Sequence, residues 1–228
     1  MRLCAPLIGG AVALAAAGGA IASPQFSATF AFTYSSQKPN SPSGLDGLAT
    51  WSDPGEPGGK PKEIQRIKVV FHPGTRLDTS ALPRCRASNA TVQRLGVRAC
   101  PKSTRLGTVY GKGVISTGAQ FDPVATLFNG RREIIVAVML GDRLLTNFRD
   151  DVRRGSITIN AKIPQGIALI GFRPHVPVHV RNRRGKRRAY MKTPPSCPSG
   201  GVWTTTATFF YRDGSSQSLS ATSACRGG

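Results

Sequence analysis

The chain has 228 residues and is strongly basic, with 31 lysine and arginine residues against 11 aspartate and glutamate residues, for a net charge of +20. No segment beyond the N-terminus is apolar enough to span a bilayer, so the composition excludes a polytopic membrane protein. A charge of this size favours polyanionic partners, although free use of arginine by a high-GC genome would also produce a basic surface.

The N-terminus has the three parts of a secretory signal peptide. Arg2 is basic, residues 5–17 are apolar, and Ala20-Ile21-Ala22 ends in the small residues that signal peptidase accepts. The apolar run is shorter than the roughly 20 residues of a membrane-spanning helix. We therefore predict cleavage after Ala22, which leaves 206 residues with a charge of +19. The mature protein is then expected outside the cytoplasm, secreted or associated with the cell envelope.

Four cysteines remain after this cleavage, and an even number in an exported protein predicts disulfides. Cys85 and Cys100 flank one short segment, and Cys197 and Cys225 flank another. Of the three possible pairings we therefore predict the local one, Cys85–Cys100 and Cys197–Cys225. Zinc ligands usually come in close Cys-x-x-Cys pairs, which the chain lacks, so we predict no metal site.

Alternation of apolar and polar residues predicts strands from the start of the mature chain. Residues 26–34 carry mainly aromatic side chains at every second position, which is typical of a half-buried strand. Residues 37–62 are rich in proline, glycine and serine, and here we predict a long irregular excursion. Leu45, Leu48 and Trp51 are the residues expected to attach it to the core.

The next elements are predicted from shorter patterns. Residues 67–71 alternate and precede a Pro-Gly turn. Asn89 could cap a short helix that runs through Leu95. Residues 105–116 have strand composition, with three glycines that predict bulges.

A central strand is predicted at residues 133–140, which are apolar on both faces. The segment after it is a candidate hairpin partner, although the adjacent Leu144 and Leu145 interrupt its alternation. Residues 150–155 are predicted to form a turn in which Asp150 pairs with neighbouring arginines.

Eight to ten short strands with almost no helical periodicity predict an all-β fold. Residues 203–211 and the turn at Asp213-Gly214 supply the last hairpin. We predict an antiparallel β-sandwich of jelly-roll or immunoglobulin-like topology with short disulfide-pinned loops. The predicted organisation is a signal peptide at residues 1–22 and a single domain at residues 23–228.

Two groups of residues resemble a recurrent signature of exported proteins from high-GC actinobacteria, "LPxC…ACPxxSRxG" with a "PSCP…W…Y.DG…C" ending. They are Leu82-Pro83-Arg84-Cys85 with Ala99-Cys100-Pro101-Lys102-Ser103-Thr104-Arg105-Leu106-Gly107, and Pro194-Pro195-Ser196-Cys197-Pro198 with Trp203, Tyr211, Asp213-Gly214 and Cys225. The resemblance extends from about Lys60 to the C-terminus. It implies a secreted β-fold with local disulfides, and it implies no particular activity.

Catalytic and metal-binding motifs do not emerge from the sequence. His175 and His179 lie among prolines, and on a strand their imidazoles would be about 13 Å apart, too far for one metal ion. A Gly-x-Ser-x-Gly motif is not found, although a triad assembled from distant residues stays open. We predict no cofactor, no catalytic residue and a non-enzymatic role.

An extracellular carbohydrate-binding or carbohydrate-active β-sandwich is the alternative hypothesis. Trp51 and Trp203 are the only tryptophans available to stack on a sugar. Asp122, Glu133 and Asp142 could supply a glycosidase pair, but their spacing does not support one.

The most conspicuous local feature is a run of basic residues at a predicted hairpin tip. Rigid guanidinium clusters bind phosphate or carboxylate polymers, whereas a solvated loop is the simpler explanation of such a run. Our first hypothesis is that this hairpin binds anionic cell-wall polymers or lipid headgroups, and we expect no sequence-specific nucleic-acid recognition. The candidate residues are Arg181, Arg183, Arg184, Lys186, Arg187 and Arg188.

Overall fold

A computed structural model describes residues 26–56, 59–183 and 185–227. The predicted signal peptide, residues 1–22, lies outside the described residues. The one α-helix among these residues is α1 (Asn89–Leu95), followed by 3₁₀ turns at Gly96–Ala99 and Lys102–Thr104. The strands are β1 (Ser27–Tyr34), β2 (Leu45–Ser52), β3 (Ile64–Val70), β4 (Arg76–Leu77), β5 (Arg105–Ile115), β6 (Gln120–Phe121), β7 (Val124–Asn129), β8 (Glu133–Leu140), β9 (Arg143–Arg153), β10 (Ser156–Ile159), β11 (Ile167–Val176), β12 (Val180–Arg183), β13 (Lys186–Ala189), β14 (Met191–Lys192), β15 (Val202–Tyr211) and β16 (Ser216–Ala224).

Most of these strands belong to one continuous sheet. Its order is β1-β2-β11-β5-β7-β8-β9-β10-β3-β15-β16, and the short β6 pairs with β5. Every neighbouring pair is antiparallel. Two small sheets, β12-β13 and β14-β4, stand apart from it. The prediction of an antiparallel all-β protein is therefore confirmed.

The large sheet rolls up until its two edges, β1 and β16, lie side by side. The Ser223 hydroxyl donates a hydrogen bond to the carbonyl oxygen of Phe32 at 3.0 Å, and the N–H of Arg226 donates to the carbonyl oxygen of Gln37 at 2.8 Å. Eleven strands follow one another in this order, and each is antiparallel to the next, so the two edge strands β1 and β16 run in the same direction. No ladder joins them within the described residues.

The strands form a single, nearly closed sheet that is not clearly a jelly-roll or immunoglobulin-like sandwich, so that part of the prediction is not confirmed. Period-two patterning shows that each strand buries one face. It does not show which strands are neighbours, and β11 in particular lies between β2 and β5, far from both in sequence.

The hydrophobic core lies inside the rolled sheet. Inward side chains of β1 alternate with exposed ones, so that Phe32 and Tyr34 are buried beside Phe71 and Trp203. A second cluster surrounds Trp51, which packs against neighbouring aromatic rings. Both tryptophans are thus core residues.

The predicted central strand, β8, is buried on both faces. Its inward residues join the main core, while Ile135 and Ala137 face outward and are covered by α1 and the Cys85–Cys100 region. The predicted helix is confirmed, but its cap is Ser88 rather than Asn89, because the Ser88 side chain accepts the hydrogen bond from the Thr91 N–H.

The expected irregular excursion at residues 37–62 is wrong in its middle. Strand β2 forms there and pairs with β1 and β11. The prolines lie on either side of this stretch, and within it more buried and more exposed residues alternate as in a strand. Leu45 and Trp51 are buried as expected, whereas Leu48 is exposed.

Both predicted disulfides are confirmed. Cys85–Cys100 closes the loop that holds α1, and Cys197–Cys225 ties the end of β16 to the segment before β15. Cys225 also donates its backbone N–H to the Gly201 carbonyl oxygen at 2.8 Å. The second crosslink therefore fixes one edge of the rolled sheet.

Candidate ligand-binding cavity

The interior of the rolled sheet contains a cavity of about 300 Å³. It is lined almost entirely by hydrophobic side chains from opposite sides of the sheet, because each strand turns alternate residues inward. A barrel of eight strands has room inside for side chains or for one small ligand. The rolled sheet has more than eight strands and can therefore enclose a wider interior. Representative lining residues are Phe30, Val69, Val109, Val136, Ile157 and Phe209.

One end of the cavity is lined by Leu145 and Thr146, and it is called the open end because Leu145 is partly exposed there. Val138 pairs with Thr146 and Met139 with Leu144, so Leu145 is the extra residue of a β-bulge in β9. Leu145 lines the cavity and is 40% exposed. The adjacent leucines that interrupt the alternation therefore mark a β-bulge at this end of the cavity.

The opposite end, the closed end, contains Asp150, Tyr190 and Met191. Asp150 lies four residues beyond Thr146 on β9, which is about 13 Å along a strand. Tyr190 and Met191 are buried there, held by the β14-β4 sheet and by the bond from the Asp78 N–H to the Tyr190 carbonyl oxygen at 2.7 Å. The small sheet thus closes this end.

Asp150 does not lie in a salt-bridged turn, which corrects the sequence prediction. Strand β9 continues through Arg153, and Asp150 faces inward with only 4% of its surface exposed. Its Oδ1 accepts a hydrogen bond from the backbone N–H of Asn160 at 3.2 Å. Burial, and to a smaller extent the charge of Asp151, raises the pKa of Asp150 to about 8. This carboxyl group is therefore largely protonated at neutral pH.

Tyr190 is the second polar side chain at the closed end and is 3% exposed. Its phenol oxygen is buried and has no hydrogen-bond partner among the described residues. Burial, followed by the nearby Asp150 carboxyl, raises the pKa of Tyr190 well above its ordinary value. An otherwise apolar cavity thus carries two neutral hydrogen-bonding groups at one end.

The histidines are dispersed. His175 Nδ1 lies 2.7 Å from Asp46 Oδ1 on the surface, and His179 Nε2 lies 2.7 Å from the Leu106 carbonyl oxygen. His72 Nδ1 accepts a hydrogen bond from the Thr204 N–H at 3.2 Å. In the part of the chain that the structure describes, no group of three or more His, Cys, Asp or Glu residues could hold a metal ion.

The predicted basic cluster lies on the β12-β13 hairpin. Arg181 stands opposite Arg188 in the ladder, and both are exposed, as are Lys186 and Arg187. Arg188 Nη2 lies 3.2 Å from Asp78 Oδ2. Arg184 and the side chain of Arg183 lie outside what the structure describes.

Comparisons of the chain with protein-family models, curated proteins and solved structures find no match. The resemblance to exported actinobacterial proteins therefore stays a prediction. Over residues 26–56, 59–183 and 185–227, no helix has the length and apolar character needed to cross a membrane.

Neither tryptophan of the alternative hypothesis lies at the surface. Trp51 and Trp203 are buried, so neither offers a surface on which a sugar could stack. Glu133 forms an ion pair with Arg149. Sequence reasoning did not find the cavity or the role of Asp150, although Thr146, Phe148, Asp150 and Val152 follow the period of an inward strand face.

Proposed function

We propose that this protein is an extracellular, non-enzymatic binding protein that holds a small apolar molecule inside its rolled sheet. The observation that supports this function is the cavity of about 300 Å³ with its hydrophobic lining, which includes the partly exposed Leu145. Small-molecule sites typically have volumes of roughly 300–1,000 Å³ and mostly apolar walls. The Cys85–Cys100 and Cys197–Cys225 crosslinks suit such a protein in an oxidising compartment.

The cavity also sets the size of the ligand. A buried apolar cavity of about 150 Å³ holds one benzene molecule, so about twice that volume holds on the order of twelve non-hydrogen atoms. Each Å² of apolar ligand surface removed from water contributes about 25 cal/mol. A strongly polar or charged molecule would lose its hydration without compensation from these walls.

Binding of 2-isopropylnaphthalene, a neutral hydrocarbon of suitable size, tests this function by fluorescence titration. Val69 and Val70 are neighbours on β3, but Val69 lines the cavity whereas Val70 is 43% exposed. We expect Val69→Phe to fill the cavity and weaken binding at least tenfold, and Val70→Phe to bind like the parent protein.

Thermal unfolding confirms that each variant is folded. If Val69→Phe does not fold, Ala125→Leu on β7 adds volume at another lining position. Absence of hydrocarbon binding by the parent protein, or equal binding by the two valine variants, contradicts the proposed function.

Association with anionic envelope polymers is the second candidate function. It is supported by the exposed β12-β13 hairpin, on which Arg181 and Arg188 stand directly opposite each other. Like charges in this position destabilise a pair of strands, and a bound polyanion would relieve the repulsion. Exposed guanidinium groups also offer bidentate contacts to phosphate or carboxylate.

Retention on purified cell wall at low and high salt tests this second function. The hairpin variant replaces four arginines with serine, and a control variant replaces four exposed arginines elsewhere, so that both lose the same charge. We expect salt-sensitive retention that only the hairpin variant loses, whereas equal loss by both variants would indicate net charge alone. The hairpin set is Arg183, Arg184, Arg187 and Arg188, and the control set is Arg94, Arg98, Arg131 and Arg153.

A further inference from the structure

The closed end of the cavity contains two polar side chains, Tyr190 and Asp150, that can form more hydrogen bonds than the described residues provide. The Tyr190 phenol oxygen has no partner among the described residues. Asp150 receives one hydrogen bond, from the Asn160 N–H to Oδ1. Buried polar groups in folded proteins are nearly always hydrogen-bonded. These two groups therefore indicate that a ligand of this cavity carries a polar atom at the closed end.

The two groups lie close enough to act on each other but do not bond directly. The Asp150 carboxyl influences the pKa of Tyr190, yet no hydrogen bond joins the two side chains. Both line the same cavity. A ligand that fills this end of the cavity would therefore meet both side chains.

The chemistry of Asp150 and Tyr190 determines which kind of ligand oxygen can bind to both. Burial keeps Asp150 protonated at neutral pH, so its carboxyl can donate a hydrogen bond. The phenol of Tyr190 can donate a second one. A carbonyl oxygen has two lone pairs and accepts both.

We propose that the cavity binds a neutral, elongated apolar molecule through a single carbonyl oxygen that accepts hydrogen bonds from Tyr190 and Asp150. This inference rests on the proposed function, because it assigns the polar group of the ligand held in the cavity. The carbonyl end enters first, and the apolar remainder extends about 13 Å toward Leu145 at the open end. The ligand class is therefore a ketone, aldehyde or ester with a hydrocarbon body.

An anionic headgroup fits this end poorly. A carboxylate would lose its hydration inside the sheet and would meet the carboxyl of Asp150 rather than a cation. The basic exterior of the protein attracts anions, so binding is measured at an ionic strength that screens the surface charge. Fatty-acid anions are thereby distinguished from neutral carbonyl compounds.

Three probes of nearly the same shape isolate the polar contact: 2-acetylnaphthalene, 2-isopropylnaphthalene and 2-naphthoate. They differ only in carrying a ketone, a hydrocarbon or a carboxylate at one position. At pH 6.5 we expect the ketone to bind about tenfold more tightly than the hydrocarbon, and the carboxylate to bind at least tenfold more weakly than the ketone.

Tyr190→Phe removes one donor and leaves the shape of the ring. We expect the ratio of ketone to hydrocarbon affinity to fall several-fold in this variant. Asp150→Asn keeps a donor without an ionisable proton, so it should retain preference for the ketone. Hydrocarbon binding and thermal unfolding establish that each variant is folded.

The pH dependence supplies an independent readout. Above about pH 8 the parent Asp150 ionises, loses its donor and repels the carbonyl oxygen. The ratio of ketone to hydrocarbon affinity should then fall several-fold, and in Asp150→Asn it should stay constant. The groups around Asp150 are Tyr190, the next residue Asp151, Ile134 across from it on β8, and the Asn160 amide beyond β10.

The outcomes separate this inference from the proposed function. If the hydrocarbon does not bind, the proposed function fails and the inference fails with it. If the hydrocarbon binds but the ketone has no advantage, or Tyr190→Phe leaves the ratio of ketone to hydrocarbon affinity unchanged, the inference alone is overturned. In that case the proposed function stands, and a bound water molecule satisfies Tyr190 instead.

Discussion

The backbone N–H of Asn160 donates a hydrogen bond to Oδ1 of Asp150 at 3.2 Å, inside a sheet whose other inward side chains are almost all apolar. This single bond does not offset the cost of burying a carboxylate, so the pKa of Asp150 rises to about 8. The stability of the protein should therefore depend on pH through this residue.

Between about pH 4 and pH 8, the folded state keeps a proton on Asp150 that the unfolded state has lost. The folded state binds more protons in this window, so the free energy of unfolding should fall as pH rises, by up to about 1.4 kcal/mol per pH unit. Below about pH 4 and above about pH 8, the contribution of Asp150 to the free energy of unfolding no longer changes with pH. Urea unfolding of the parent protein and of Asp150→Asn measures the difference, because the variant lacks this contribution.

Asp142→Asn, in the exposed turn between β8 and β9, is the matched control and should follow the parent protein. Parallel stability curves for the parent protein and Asp150→Asn would show that the carboxyl is not protonated in the folded state.

Removing either disulfide should destabilise the fold. The crosslinks close loops of 15 residues (Cys85–Cys100) and 28 residues (Cys197–Cys225). Loop-closure entropy predicts losses of about 3 and 3.6 kcal/mol, respectively, when both cysteines of a pair are replaced by alanine. Urea unfolding at one pH compares the two double variants, and an unchanged midpoint for either would refute this estimate.

A third prediction concerns the close approach of β5 and β11. A Cβ atom at Gly107 would lie 2.2 Å from the His175 carbonyl oxygen, which is backbone and cannot turn aside. Gly107→Ala should therefore destabilise the protein by about 1–3 kcal/mol, the usual cost of overpacking. Gly200→Ala is the control, because its Cβ would meet open space. Thermal unfolding should show a lower Tm for the first variant alone.

Export predicts a defined mature N-terminus. If signal peptidase cleaves after Ala22, the first residue of the secreted protein is Ser23. N-terminal sequencing of protein recovered from the medium tests this, and replacing Ala22 with a bulky residue such as leucine should hold the precursor in the cell. Recovery of a chain that still begins at Met1 would contradict the prediction.

Several strands were predictable because their alternation is local, whereas β2 formed in a region predicted to be irregular. Residues 26–34 and 203–211 form β1 and β15 near the expected bounds, and the uniformly apolar 133–140 is β8. The neighbours of each strand depend on contacts between distant segments, which is why β11 between β2 and β5 was not foreseen. A sandwich and a rolled sheet require the same alternation along each strand.

The cavity was not predictable, because its volume depends on how many strands surround the interior and how far the edges approach. Asp150 illustrates the same limit at one residue. Its place in the inward series with Phe148 and Val152 was present in the sequence, but the charged neighbours Arg149 and Asp151 suggested a surface turn. The structure places those neighbours on the opposite face of β9, as a strand requires.

The odd number of strands between the two edges, counting β1 and β16, affects how firmly the sheet is closed. Strands β1 and β16 run in the same direction and share no ladder within the described residues. The circumference of the rolled sheet is therefore not fixed by a continuous ring of backbone hydrogen bonds. Parting these two edges would cost mainly side-chain contacts and isolated bonds such as Ser223 to Phe32. Such a seam would allow the interior of the sheet to widen or narrow, so the proposed binding function should extend to ligands of different thickness.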